Sequence, residues 1–333
     1  MNRPLRILLS LGVAAALLTL LAVWGDVDLS EVMQTWRNLP PSTYAAALAI
    51  HAGIFFLRAV RVRILIPPAL RPSLARVVPI SAAHTLAAYV LPAKTGEAAL
   101  VVYLKALCGV PANEGLATLV VARVVDLAVL CGWLGTACVV IGTGAGDELE
   151  NQAAFVPLGG ALLAGTAVLL VVGARGDRLV RVATRTLRWM RLDRTSLGAR
   201  TLARAEAVGE ALAQAGGGGR LGRATLVTIP LWGGVFLFYA VLVRGLGLDA
   251  TLMEATFGSA LAVLSNVLPV NGFAGFGTQE AGWVLGFAAL GVERDLALAT
   301  GLGAHVVQLV NAALFGLLGH LAMGAARRTV VSD

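Results

Sequence analysis

The apolar positions of this chain gather into long runs. Six of them, 5–24, 43–65, 114–142, 153–173, 225–244 and 294–323, are long enough to cross a bilayer, since a helix needs roughly 20 residues to span a hydrocarbon core of about 30 Å. Two further runs are interrupted. Residues 74–92 lead into Val90-Leu91-Pro92, a polar knot Lys94-Thr95-Gly96-Glu97 and a short apolar limb over 98–110. Residues 252–269 lead into Val267-Leu268-Pro269, a Gly-rich knot over 271–280 ending Gln279-Glu280, and a limb over 281–292. Limbs this short make ~19 Å of helix and cannot cross. Proline and glycine at the knots free backbone groups that lipid cannot satisfy, so the breaks require protein or a watery cavity beside them. The expected break points are Pro92 in the first knot and Pro269, Gly272, Gly275 and Gly277 in the second. The pattern predicts an all-α polytopic membrane protein with about six transmembrane helices and two re-entrant helical hairpins.

Composition and loop charge extend this picture. Hydrophobic residues make up 58% of the chain and charged residues 14%, too little charge to cover a soluble domain of this length. Of the 26 basic residues 24 are arginine, clustered in a few loops. That clustering points to membrane orientation and anionic headgroups and away from nucleic acid. The run 5–24 exceeds the usual signal-peptide core of ~7–15 residues and is expected to be a retained first span. Arg3 and Arg6 precede it, loop 25–42 is net acidic, and loop 66–73 with its edges carries Arg63, Arg71 and Arg76. Loop 143–152 holds Asp147, Glu148 and Glu150, whereas loop 174–223 holds eleven arginines against four acids. With six crossings, two hairpins that return to their own side and an inside N-terminus, every strongly basic segment is cytoplasmic. The expected location is the cell (inner or plasma) membrane, with both termini cytoplasmic. Arg178, Arg181, Arg185 and Arg188 share one helical face, which suits either an amphipathic helix on an anionic leaflet or a solvated basic loop.

Shifting the chain by 182 residues aligns 109–127 with 291–309, and nine of nineteen positions match, among them Gly109/Gly291, Leu116/Leu298, Thr118/Thr300 and Val125/Val307. Each copy follows its own Leu-Pro, polar knot and glutamate, Glu97 or Glu280. Three crossings separate the hairpins, so the second is expected to enter from the opposite face. An inverted repeat with paired broken helices is the pattern of alternating-access transporters, whose sites lie near the midplane. The chain is therefore divided as one transmembrane domain: 1–42 first span and external loop, 43–142 first repeat, 153–224 an intervening span and basic loop, and 225–325 second repeat.

Ionisable groups inside spans are costly and usually face a cavity. Arg58 and Arg61 lie one turn apart on one face, Arg123 lies deep in the third span, Lys94 lies at the first knot beside Gly96, and Lys105 follows on the returning limb. Together they form a candidate electropositive pocket for a lipid phosphate, which arginine forks and short helix N-termini both bind. Snorkelling of Arg58, Arg61 and Lys105 to the interface, and a structural pair between Arg123 and Asp126, are the plainer readings. Glu97 and Glu280 suit either caps on short helices or proton carriers. His305 takes the repeat position of Arg123, and Gln308 and Asn311 continue its stripe; it suits either proton coupling or a helix–helix hydrogen bond. His51 and His84 are expected to be packing histidines, and Cys108, Cys131 and Cys138 packed thiols. No metal-ligand spacing, nucleophile elbow, Walker loop or dinucleotide fingerprint stands in the sequence, so no cofactor and no enzymatic activity are expected.

Leu91-Pro92-Ala93-Lys94-Thr95-Gly96-Glu97, Leu116-Ala117-Thr118 leading to Arg123-Val124-Val125-Asp126, and Leu268-Pro269 with Gly272, Gly275, Gly277 and Glu280 resemble the lysylphosphatidylglycerol synthase transmembrane region family, also called flippase-like proteins. The resemblance covers roughly 40–325. It departs at Leu100, where the family commonly carries arginine, and at Ala122, where it often carries glutamate. The resemblance implies movement of lipids such as aminoacylated phosphatidylglycerol between leaflets. Synthase activity is not implied, because the soluble aminoacyl-transferring domain of fused members is absent from these residues. The leading expectation is a flippase or transporter for an anionic lipid, with membrane lipids as partners and a homo-oligomer compatible. Its rivals are a proton-coupled transporter of a small soluble anion and, third, an intramembrane headgroup transferase.

Overall fold

Helices and short 3-10 turns make up the regular structure in a computed structural model that describes residues 39–144, 152–174, 219–265 and 273–331, together with Arg37 and Arg185. In chain order the helices are α1 Pro41–Leu65, α2 Leu74–Val90, α3 Ala99–Cys108, α4 Ala112–Thr143, α5 Gln152–Ala174, α6 Arg220–Gly245, α7 Leu252–Ser265, α8 Thr278–Ala288 and α9 Arg294–Val331. Turns at Pro68–Leu70, Pro92–Ala98 and Phe273–Gly275 lie between them. Among the described residues, α1, α4, α6, Gln152–Val171 of α5 and Arg294–Ala325 of α9 are long and apolar enough to cross a membrane. They match five of the six expected crossings. The sixth, 5–24, lies outside the described residues, as do the Arg178, Arg181 and Arg188 face, most of the acidic loop 143–152, Pro269 and Gly272.

Polarity is distributed in the sense opposite to a soluble domain. Leu226 and Leu321 are 68% and 71% exposed, while Glu280 and His305 are 0% exposed. Water would penalise the first pair and hydrocarbon the second. Together with the long apolar helices, this makes the chain a multi-pass α-helical membrane protein.

The interrupted runs fold as pairs of short helices. At 17 and 14 residues, α2 and α7 reach ~26 and ~21 Å, and the limbs α3 and α8 are shorter still. Glycine permits the close approach of each pair. A Cβ at Gly282 would stand 2.6 Å from the Leu261 carbonyl oxygen, and one at Gly286 would fall on the Gly258 backbone. A Cβ at Gly96 would fall on the backbone of Ala87 and Ala88. α7 starts on a capping box, with the Thr251 N–H donating to Glu254 Oε2 (2.7 Å) and the Glu254 N–H to Thr251 Oγ1 (3.2 Å). α8 begins at Thr278, three residues before the expected limb, so Gln279 and Glu280 belong to its first turn and not to the knot. Gly277, at φ 84°, turns its N–H onto Glu280 Oε2 at 2.6 Å, a conformation open to glycine at no steric cost.

The order of elements recurs. α4 and α9 begin 182 residues apart, and Gly109 and Gly291 before them both have positive φ (69° and 78°). Packing partners are exchanged between the halves. α2 of the first half packs on α9 of the second, and α7 of the second packs on α4 of the first, with α1 against α6.

Candidate functional site

Two clusters of buried polar groups lie where the broken pairs meet the long helices. The first draws on α1, α2, the turn Pro92–Ala98, α4 and α6. Arg61 and Asp126 form an ion pair, and their side chains are 8% and 9% exposed. Asp126 also accepts a hydrogen bond from Trp232 Nε1 on α6 at 2.9 Å. Arg123 pairs with Glu97, which the turn carries across from the first broken pair, and its other guanidinium nitrogen stands 3.6 Å from Asp126. His84 Nε2 on α2 is 3.6 Å from Glu97 Oε2, outside hydrogen-bond length. Arg58 donates to Thr85 Oγ1 at 3.2 Å and stands over the Phe55 ring, 6.0 Å from its centroid. Among the described residues no carboxylate lies within ion-pair distance of Arg58. Three guanidiniums against two carboxylates leave the cluster with one net positive charge before histidine is counted, and the Arg123 side chain is 53% exposed.

The second cluster draws on α8, α9, the turn at Phe273–Gly275 and α6. His305 Nδ1 lies 2.5 Å from Glu280 Oε1, and both side chains are 0% exposed. His305 Nε2 lies 3.1 Å from the carbonyl oxygen of Ala274, a non-glycine residue held at φ 54°. The Phe276 ring lies against the imidazole, with centroids 4.5 Å apart. One turn along α9, Gln308 Oε1 accepts from Tyr239 Oη at 2.8 Å and from Gln279 Nε2 at 3.0 Å, while its Nε2 donates to the Tyr89 hydroxyl. Asn311, buried a further turn along, accepts from the Tyr44 hydroxyl at 3.2 Å. The stripe His305, Gln308, Asn311 thus faces the protein interior.

The clusters are counterparts. His305 stands at the repeat position of Arg123 and Gln308 at that of Asp126. In both halves the glutamate that follows the break pairs with the base on the next long helix, Glu97 with Arg123 and Glu280 with His305. Gln308 links them, because Tyr89 belongs to the first broken pair and Gln279 to the second.

The structure gathers Arg58, Arg61, Glu97, Arg123 and Asp126 in one place and Glu280, His305 and Gln308 in another. Gly96 is buried at the first break and Lys105 is exposed. The turn that carries Lys94 begins at Pro92; the Lys94 side chain and Gly272 lie outside what is described. Tyr89, Trp232, Tyr239 and Thr85 are not among the candidates read from the sequence, and Gln279 entered only as the end of the second knot. Their signal was available: Tyr and Trp in apolar helices carry a polar tip that needs a partner when buried. His84, expected as a packing histidine, faces Glu97. At the end of α1, Arg63 donates to the Pro72 carbonyl (2.9 Å) and Arg220 to the Leu65 carbonyl (2.8 Å), with Arg71 and Arg223 beside them. Burial, then the guanidiniums of Arg63, Arg223 and Arg220, hold Arg71 below the usual arginine range. No group of three metal-ligating side chains occurs among the described residues.

Comparison with known proteins now places the chain. Residues 7–316 match the family described as "Lysylphosphatidylglycerol synthase TM region". A curated relative named glycosyltransferase AglD, from Haloferax volcanii, is 28% identical over 351 aligned positions, covering 96% of this chain and 56% of that protein. The chain therefore spans about half the length of the curated relative it matches. With nearly its whole length matched, from the first run to the last helix, this chain belongs to the lysylphosphatidylglycerol synthase transmembrane region family.

Proposed function

We propose that this protein moves an anionic, phosphate-bearing lipid between leaflets by alternating access, with the headgroup held at Arg58 and Arg123. The observation that carries this reading is Arg58. It is a half-buried guanidinium whose hydrogen-bond partner is the Thr85 hydroxyl, and it is the charge that leaves its cluster with one cation in excess. A desolvated cation without a counter-charge is unfavourable, and a phosphate bound bidentately supplies that charge. Arg58 and Arg123 are within electrostatic reach of each other, and Arg123 is open enough to meet a ligand. Arg61, by contrast, is committed to Asp126 and positions α1 on α4.

Motion in this reading comes from two re-entrant hairpins, α2–α3 and α7–α8, entering from opposite faces of an inverted repeat. The exchanged partners of α2 and α7 support it. The chain sits in the inner or plasma membrane with six crossings and both termini cytoplasmic, and its 174–223 arginines contact the anionic leaflet. The curated relative is named a glycosyltransferase, which raises headgroup transfer as a second reading. Transport is favoured because each interior carboxylate of the two clusters described already has a charged or hydrogen-bonding partner: Arg123 for Glu97, Arg61 and Trp232 for Asp126, Gly277 and His305 for Glu280.

The test is leaflet redistribution of fluorescent phosphatidylglycerol in proteoliposomes, read by dithionite quenching. Wild type accelerates redistribution, and Arg58→Gln and Arg123→Gln lower the rate about ten-fold, the loss expected for one charge-assisted headgroup contact. Variants as fast as wild type reject the site. Uptake of a soluble anion without lipid movement, or a transferred-sugar product from purified protein, rejects the lipid-transport reading.

A further inference from the structure

The two repeat-related pairs differ in chemistry. Arg123 stays charged, whereas the base facing Glu280 is a histidine, and it is sealed from solvent. Both ring nitrogens of His305 meet acceptors. Nε2 is 3.1 Å from the Ala274 carbonyl, which can only accept, so Nε2 carries a hydrogen. Nδ1 and Glu280 Oε1 are 2.5 Å apart, a separation at which two lone pairs repel, so a hydrogen lies between them. Imidazolium with carboxylate, and neutral ring with carboxylic acid, contain the same proton and sum to zero charge. Glu280 Oε2 is occupied by the Gly277 N–H at 2.6 Å. The arrangement therefore fits one titrating proton. Without it, a buried net negative charge and opposed lone pairs remain. A second would set two hydrogens between Nδ1 and Oε1.

We propose that Glu280 and His305 form the site of a coupling proton, and that this proton fastens the second hairpin to α9. Bound, it ties Glu280 at the start of α8 and Ala274 in the turn to one imidazole. On release, the pair passes from zero charge to one negative charge, and the proton goes to the water on the side to which the hairpin opens. The open state hydrates the carboxylate that the closed state cannot leave bare. Among the described residues no other acid or base contacts the pair. Around it stand Phe276 from the turn, the amides Gln279 on α8 and Gln308 on α9, and Tyr239 on α6; Tyr239 is electrostatically coupled to Glu280, to Tyr89 on α2 and to Arg58 on α1. This inference rests on the transport reading for its role, but the proton site has its own readout.

Two measurements on the full chain in phospholipid nanodiscs and vesicles decide it. The first is amide exchange over 273–288, corrected for the intrinsic pH dependence. In wild type it rises about five-fold or more from an acidic to an alkaline buffer as the fastening proton leaves. Glu280→Gln keeps both bonds at every pH, its carboxamide oxygen accepting from Gly277 and its N–H donating to Nδ1, so exchange stays low throughout. Equal wild-type exchange at both pH values, or a rise in Glu280→Gln matching wild type, overturns the proposal. The second is redistribution of fluorescent phosphatidylglycerol with pyranine enclosed. An imposed pH gradient changes the wild-type rate about five-fold, and lipid movement shifts lumenal pH. Wild-type movement indifferent to the gradient, with pyranine unchanged, overturns the coupling. If wild type moves no probe lipid at all, the transport reading falls, and the exchange comparison still decides the proton site.

Discussion

Asp126 on α4 and Arg61 on α1 are ion-paired across the first cluster, with less than a tenth of either side chain exposed. The carboxylate has a further tie to its surroundings. Asp126 accepts from Trp232 of α6, so three helices meet on one carboxylate. A buried pair of this kind is weak evidence of net stability but costly to break, because the survivor is left charged and unpaired. Asp126→Ala is expected to lower unfolding stability by about 3–5 kcal/mol, measured by denaturant unfolding in detergent. Replacing both partners, as Asp126→Leu with Arg61→Met, is expected to recover most of that loss. A double variant as unstable as the single one would show that the pair does not act as a unit.

Glycine contacts separate packing from propensity. Gly286 on α8 has no room for a Cβ against Gly258 of α7, whereas Gly53 on α1 has nothing within 4 Å. Gly53→Ala is expected to stabilise by about 0.5–1 kcal/mol through helix propensity alone. Gly286→Ala, by forcing α7 and α8 apart, is expected to destabilise by about 1–3 kcal/mol. Thermal unfolding of both variants beside wild type checks the pair, and a destabilised Gly53→Ala would place that face of α1 against something other than lipid.

What could be read in advance follows from length and breaks. Spans were legible because a helix must be long and apolar to cross, and the limits of α1, α4 and α6 fall within a few residues of the runs. The 182-residue offset anticipated that α4 and α9 start in register. The early start of α8 was hidden because its cap is a side chain, Glu280, reaching back to Gly277. Interior partners were less legible. In a helix apolar on nearly every side, the sequence does not mark which face turns inward, so Asp126 could be paired on paper with Arg123 one turn away, but not with Arg61 on another helix. The polar tips of Trp232 and Tyr239 were legible as groups in need of a partner, but the helix that supplies it was not, for the same reason. The left-handed Ala274 was hidden because its residue type does not announce it.

Gln308 carries bonds to three helices through one amide, which makes it the junction between the halves. Gln308→Leu leaves the hydroxyls of Tyr239 and Tyr89 to find other partners, each at up to about 1–3 kcal/mol if buried and unpaired. In a membrane interior the measured coupling of one such bond averages only about 0.6 kcal/mol. The expected outcome is therefore a fall in stability of about 1–3 kcal/mol for Gln308→Leu, with a double-mutant coupling of about 0.6 kcal/mol between Gln308→Leu and Tyr239→Phe. Additive effects would mean that the Tyr239 hydroxyl and Gln308 do not act on one another.

Arg58 and the rim arginines make opposite predictions for anionic lipid. A ligand that binds only the folded state stabilises it by mass action, by about 2.7 kcal/mol at a hundred times its dissociation constant. Added phosphatidylglycerol is expected to raise the thermal midpoint of wild type in detergent, and this shift is expected to vanish in Arg58→Gln, where the uncompensated guanidinium is gone. Arg71 belongs to a group of like charges at the end of α1, where burial first and the neighbouring guanidiniums after it hold it below its ordinary range. Its attraction for lipid is long-range and falls away once the Debye length shrinks to about 3 Å near 1 M salt. Arg71→Gln is therefore expected to lose part of the lipid shift at low salt and none at high salt, while Arg58→Gln loses it under both conditions. A lipid shift in wild type that high salt removes entirely would place the anion on the rim and leave Arg58 without a ligand.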